Sequence, residues 1–295
     1  MRRQLDGHSI NQITIIGTGL LGGSFALALK AAGIRSRIVG CDRAHVLDGA
    51  RKMGALDAQT EDPAEAVRGS DLILLATPVG TIIDLIERIG PIAPPDALIT
   101  DVGSTKQDIL ERARAVFGAK VSHRFLGGHP MAGKEHSSIF SADAELFRNA
   151  TWFFVPSSPE QDFEDERIRK YREMVERIGT HVVKIEAERH DRICAWISHL
   201  PQMISTALAG ILLDEFGDST ELQSISSRSL REMTRTASSP YSMWRDVAHT
   251  NTANIQQALS ALEQRLAHIR ENLRTQGLRD EFERANQFEV KKTKP

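Results

Sequence analysis

In the first half of the chain, short uninterrupted apolar runs alternate with longer stretches whose apolar positions recur at helical spacing. The runs ITIIG (13–17), RIVGCD (37–42), DLILLAT (71–77) and ALITDV (97–102) are each bounded by turn residues and each lead into a helical pattern. The first two helices are expected from about Gly22 to Ala32 and up to about Met53. Farther on come WFFVP (152–156), a charged amphipathic helix from about Asp162 to Ile178, and HVVKI (181–185), expected to complete the same sheet. Strands that are apolar throughout and separated by helices predict a parallel sheet covered on both faces.

From about residue 188 the strand-like runs stop and helical periodicity takes over, first in HDRICAWISHLPQMISTALAGILLDEF (190–216). Pro201 should kink this helix, because it removes a backbone donor and crowds the preceding turn. Further helices are expected from about Glu221 and from about Thr252 to Arg274, and the charged tail RDEFERANQFEVKKTKP is expected to fray. The expected organisation is therefore a sheet domain over 1–187 followed by a helical domain over 188–295.

Composition narrows the function classes. A hydrophobic fraction of 41% and a charged fraction of 26% are those of a globular protein, and a net charge of -2 gives no reason to expect nucleic acid as a partner. Cys41 and Cys194 are too few for a disulfide framework and have no CxxC spacing, so no structural zinc is expected and a reducing cytoplasm is the natural compartment. No signal peptide and no membrane-spanning stretch of about 18 uncharged apolar residues is expected.

The first strand runs straight into GTGLLG (17–22), a G-x-G-x-x-G sequence that also opens a helix. Gly17 would allow the tight turn, Gly19 close approach of a pyrophosphate to the backbone, and Gly22 close packing of helix on strand; Leu20 and Leu21 between them are candidate cofactor contacts. Asp42 lies 20 residues after Gly22 at the end of the second strand, where an acid can bind both ribose hydroxyls. That favours NAD over NADP, although the neighbouring Arg43 could accommodate a 2′-phosphate or lie over the adenine.

Ligands of an open parallel sheet bind beyond the carboxyl ends of its strands. Thr77 and Pro78 in ATPVG should line the cofactor there. DVGSTK (101–106) brings Ser104 to the next strand end, as a substrate contact or as the N-cap of a helix starting at Thr105. GGHPMAGKE (127–135) reads as a loop carrying His129, which taken alone is more often a histidine satisfied in place but beside a nucleotide turn becomes a candidate general base. His190 and His199 are nine apart and do not form the close pair of a metal motif, so no metal is expected. His199 precedes Pro201, where a substrate could meet the kink, and Arg235, with Trp244 nine residues on, could grip a carboxylate or be an ordinary surface arginine.

Taken together, ITIIGTGLLGGS, DVGSTK, GGHPMAGKE, ISHLPQ and TRTASSPYSMW resemble the prephenate/arogenate (cyclohexadienyl) dehydrogenase family over nearly the whole chain. The resemblance implies an α/β fold, a Rossmann-type N-terminal domain followed by an all-α domain that forms a homodimer. It implies oxidative decarboxylation of prephenate to 4-hydroxyphenylpyruvate, or of arogenate to tyrosine, with a nicotinamide cofactor. Carried over by motif, His129 resembles the catalytic histidine and Ser104 the serine beside it, while His199 and Arg235 resemble substrate-pocket residues. Around the arginine the chain departs from the pattern with Ser229, Leu230 and Glu232. No mutase-like segment is expected before the nucleotide turn and no regulatory segment after the helices. A β-hydroxyacid dehydrogenase, an imine reductase or a non-enzymatic NAD-sensing dimer would share the architecture, but none of them accounts for GGHPMAGKE.

Overall fold

The computed structural model describes residues 10–217 and 224–288, so the helix expected from Glu221 begins outside the described residues. Eight strands form one sheet: β1 (Gln12–Ile16), β2 (Arg37–Cys41), β3 (Ala58–Thr60), β4 (Leu72–Leu75), β5 (Leu98–Asp101), β6 (Phe125–Pro130), β7 (Thr151–Pro156) and β8 (His181–Lys184). Their order is β3-β2-β1-β4-β5-β6-β7-β8. The first six run parallel, as expected, with a topological switch between β1 and β4. β7 reverses direction against β6, and β8 runs parallel to β7, so the sheet is mixed at that edge.

Helices α1 (Leu20–Ala31), α2 (Ala44–Lys52), α3 (Val79–Ile89), α4 (Gln107–Phe117) and α5 (Glu166–Arg177) cover the sheet. Alternate strand residues serve opposite faces. Ile13, Ile15, Leu72 and Leu74 belong to one apolar core, whereas Ile16, Ile73 and Leu75 belong to the other. Both faces are dry, which is why these strands read as apolar throughout.

Besides the reversal at β7, which departs from the expected parallel sheet, two sheet elements differ from the sequence reading. β3 is a three-residue edge strand, AQT, too short and too polar to show a pattern. GGHP, expected as loop, is the buried end of β6. A methyl group on Gly128 would lie 2.4 Å from the Asp101 carbonyl oxygen, and one on Gly127 3.0 Å from that of Val155. The neighbouring backbone leaves no room for a side chain at Gly128 and little at Gly127.

After β8, every regular element among the described residues is a helix. A continuous run joins α6 (Ala187–Cys194) to α7 (Leu200–Phe216) through a π-helical turn, Ala195–His199. The expected break at Pro201 is taken up there: the wider turn accommodates a ring that has no N–H to offer and would crowd the carbonyl four residues back. This run, Ala187–Phe216, passes for a membrane-crossing helix by length and composition alone. It also carries buried His190, Asp191, His199 and Gln202, while Ile197, Ile211, Leu213 and Phe216 lie exposed.

Helices α8 (Arg228–Thr234), α9 (Tyr241–Thr250), α10 (Thr252–Glu271) and α11 (Gln276–Ala285) complete the domain. The first part of the tail is thus helical and not frayed. Thr275 caps α11 through the Gly277 N–H, and Arg265 reaches Glu281 at 2.5 Å.

Candidate active site

Between β1 and α1 the chain turns through Gly17, Thr18 and Gly19. Gly17 holds φ at +96°, and a side chain on it would come within 2.5 Å of the Ala76 carbonyl oxygen. A Cβ on Gly22 would sit 1.9 Å from the Gly17 carbonyl oxygen, so helix and turn touch backbone to backbone. Asp42, just past β2, accepts the Thr18 N–H at 2.8 Å and the Arg43 N–H at 2.8 Å, holding the turn against the second strand. Arg43 and Pro78 are exposed, at the starts of α2 and α3.

The residues fit a dinucleotide. Thr18 Oγ1 and Thr77 Oγ1 flank the turn, buried and without hydrogen-bond partners, and the N-terminus of α1 opens beside them. The Leu20 N–H donates to the Ser137 carbonyl at 3.0 Å, so the segment after β6 lies across the mouth of the turn.

Beyond β5 and β6 a second, buried cluster joins the two halves of the chain. Asp101 and Lys106 form an ion pair with both side chains fully buried, and Lys106 Nζ also donates to the Gly128 carbonyl at 2.7 Å. His129 Nδ1 lies 2.9 Å from His190 Nε2, and His190 Nδ1 lies 2.8 Å from Asp191 Oδ1. The Asp191 carboxylate also accepts the Lys106 N–H at 2.7 Å and the Gln107 N–H at 3.0 Å. It thereby caps α4 from another domain. Ser104 is therefore not the cap: the helix starts at Gln107, two residues later than expected, and the half-buried Ser104 hydroxyl has no hydrogen bond among the described residues.

Asn251 extends the cluster by donating to the Asp191 carbonyl at 2.8 Å and to His199 Nδ1 at 3.2 Å. His199 Nε2 then carries the ring proton, and it has no partner. The Trp244 ring stands edge-on to His199 at 5.9 Å, and its Nε1 is likewise buried and unpartnered. Two buried donors without acceptors are what a polar ligand would satisfy. Arg235 lies at the rim, 63% exposed, in an ion pair with Glu135 from the segment after β6.

Burial governs the electrostatics. It lowers the proton affinity of His129 well below the ordinary 6.5, helped by His190 and by the Lys106 ammonium. Burial also lowers His190, against the pull of Asp191, and brings His199 down to about 4. All three rings are neutral at neutral pH. Burial pushes the Cys194 thiol up to about 12. His129, His190 and Cys194 gather within 4.8 Å, as metal ligands can. At 2.9 Å, however, the two ring nitrogens are joined by a shared proton; zinc bonds of about 2.0–2.1 Å at tetrahedral angles would hold them farther apart.

Of the residues read from sequence, His129, Ser104, His199 and Trp244 thus come to one region, Arg235 to its rim, and Gly17, Gly19, Leu20, Leu21, Gly22, Asp42 and Thr77 to the nucleotide turn. Sequence reasoning missed Asp101, Lys106, Asp191 and Asn251 and gave His190 no role. The adjacent acid and imidazole in HDRIC were the available signal.

A switch-point glycine turn, joined through buried polar side chains to a helical domain, defines a two-domain protein with a dinucleotide-binding type of sheet domain. Residues 25–184 match the family model for the prephenate dehydrogenase nucleotide-binding domain, and residues 186–287 match that for the prephenate dehydrogenase dimerization domain. The chain belongs to the prephenate dehydrogenase family. It is 33% identical over 244 residues to a prephenate dehydrogenase of Lactococcus lactis, covering 82% of this chain and 65% of that one. A cyclohexadienyl dehydrogenase of Zymomonas mobilis is 32% identical, with 81% and 80% covered. The chain thus spans just under two thirds of the Lactococcus relative and most of the Zymomonas one. Among solved structures, prephenate dehydrogenase from Aquifex aeolicus, in complex with hydroxyphenyl propionate and NAD+, superposes with a TM-score of 0.82 at 28% identity and covers 95% of each chain. Synechocystis arogenate dehydrogenase gives 0.73 at 27% identity, covering 94% and 98%.

Proposed function

We propose that the chain catalyses the NAD-dependent oxidative decarboxylation of prephenate, arogenate or both. The observation that carries this reading is the continuous buried network from His129 through His190, Asp191 and Asn251 to His199, which leaves the His199 and Trp244 donors open. The cofactor, when bound, accepts a hydride from the ring carbon bearing the hydroxyl. His129 takes the hydroxyl proton as that hydride leaves, and the free Ser104 hydroxyl fixes the substrate oxygen. His199 donates from Nε2, and Trp244 can donate beside it. Arg235 exchanges Glu135 for a substrate carboxylate. Loss of carbon dioxide aromatises the ring and makes the step irreversible.

In this reading residues 1–187 hold the dinucleotide and residues 188–295 hold the substrate and pair two copies. The family-model description of 186–287 supports the pairing, as do the exposed Ile197, Ile211, Leu213 and Phe216. Asp42 beside the turn supports NAD over NADP. The unpaired, buried Cys41 and Cys194 accord with a cytoplasmic setting. The test is NADH formation with prephenate, arogenate and a panel of hydroxyacids. Turnover of a cyclohexadienyl substrate alone is expected; turnover only of hydroxyacids, or of nothing, would reject the reading.

A further inference from the structure

We propose that His190 and Asp191 are positioning residues that set the tautomer of His129 and support the charge it acquires. The inference rests on the reading of His129 as the base.

An ionised carboxylate can only accept hydrogen bonds. The Asp191 carboxylate already takes the Lys106 and Gln107 N–H groups, so at 2.8 Å from its Oδ1 the His190 Nδ1 must be the donor. Neutral His190 then has its lone pair on Nε2. Across the 2.9 Å contact, His129 Nδ1 must in turn donate. One lone pair is left on the His129 ring, at Nε2, and that nitrogen alone can take a substrate proton. The opposite tautomer would set two lone pairs against each other in a buried site, which is costly for both.

The same chain acts once His129 is protonated. Its Nδ1–H bond to His190 becomes charge-assisted, and His190 leans on the Asp191 carboxylate behind it. Other groups face the pair. The Lys106 ammonium opposes a positive charge but is neutralised by Asp101, and the Cys194 thiol, 3.5 Å from His190 Nε2, stays protonated. His199 is neutral, and Phe153 meets the His190 ring edge-on at 5.3 Å, holding its plane. Because Asp191 also caps α4, just beyond Ser104, one carboxylate aligns the base and the serine segment together. The arrangement parallels the orienting acid of a hydrolase triad, with a second imidazole inserted.

The test uses the full-length protein labelled with ¹⁵N-histidine. NMR at neutral pH should show His129 with its proton on Nδ1, and it should do so without substrate. His190→Gln keeps an acceptor for that proton, whereas His190→Leu removes it. In His190→Leu the two His129 tautomers should mix and kcat for prephenate should fall about 10²-fold or more, with KM changed less than about threefold. The acid limb of its kcat/KM profile should move to lower pH, because the imidazolium loses its support. His190→Gln should keep the wild-type tautomer and recover at least about tenfold of the lost rate. An Nε2–H tautomer in wild type, or equal kinetics for the Leu and Gln variants, would overturn the proposal. Should the wild type turn over no cyclohexadienyl substrate, the proposed reaction falls while the NMR result still decides the relay.

Discussion

Acid should loosen this protein through His199, and the structure gives the size of the effect. The ring is buried, its Nδ1 accepts from Asn251, and burial lowers its proton affinity from 6.5 to about 4. The unfolded chain binds a proton at this site below about pH 6.5, whereas the folded chain does so only below about 4. Between those values the unfolded state holds more protons, so stability falls as pH falls. At about 1.4 kcal/mol per pH unit, the site costs about 2 kcal/mol at pH 5 and about 3 kcal/mol at pH 4, relative to pH 8. Carboxylates elsewhere titrate over the same range, so the site has to be isolated by difference. His199→Gln leaves an oxygen for Asn251 and nothing to titrate. Urea unfolding of both proteins at pH 8 and 5 should show the variant losing about 2 kcal/mol less than the wild type over that interval. Parallel losses would mean that His199 is not held neutral by burial, and the assignment of its Nδ1 as acceptor of the Asn251 N–H would go with it.

Other expectations follow from the same geometry. Gly128→Ala presses a methyl group onto the Asp101 backbone at 2.4 Å, and a denaturant titration should show a loss near the upper end of the ~1–3 kcal/mol typical of overpacking; a change under about 0.5 kcal/mol would show that β6 can shift. His129→Asn should lower kcat by about 10²–10⁴-fold with little change in KM. Arg235→Gln should instead raise KM, and by only about tenfold, because Arg235 gives up Glu135 to take a substrate carboxylate; steady-state kinetics would separate the two. Asp42→Ser should narrow a preference for NAD over NADP, measured as the ratio of kcat/KM values, and a wild type that already prefers NADP would show that Arg43 outweighs the acid. Light scattering at micromolar concentration should return twice the chain mass, since the helical domain exposes Ile197, Ile211, Leu213 and Phe216; a monomer would refute pairing through that face.

The sequence by itself determined what depends on neighbours along the chain. Strands buried on both faces must be apolar throughout, so four of the first five strands, all but the edge strand β3, were legible as short apolar runs. The glycine turn was legible because only glycine tolerates φ of +96° at Gly17 and a backbone contact at Gly22. His129, Ser104 and His199 stood out because polar groups in apolar or glycine-rich surroundings need a reason to be there. Tertiary structure decided whatever depends on a partner far along the chain. GGHP is a strand because it pairs within the sheet beside β5 and β7, whose backbones leave no room for a side chain at Gly128 and little at Gly127, and no local propensity reports the position of another strand. The cap of α4 comes from Asp191, 85 residues beyond Lys106, and so the nearby Ser104 is left free. The partner of His129 is His190, 61 residues away on a helix of the other domain. Spacing along the helix had set His190 aside because it shares no close face with His199. A hydrogen bond requires only that two atoms meet, and the packing of that helix against the carboxyl end of β6 decides which atoms do.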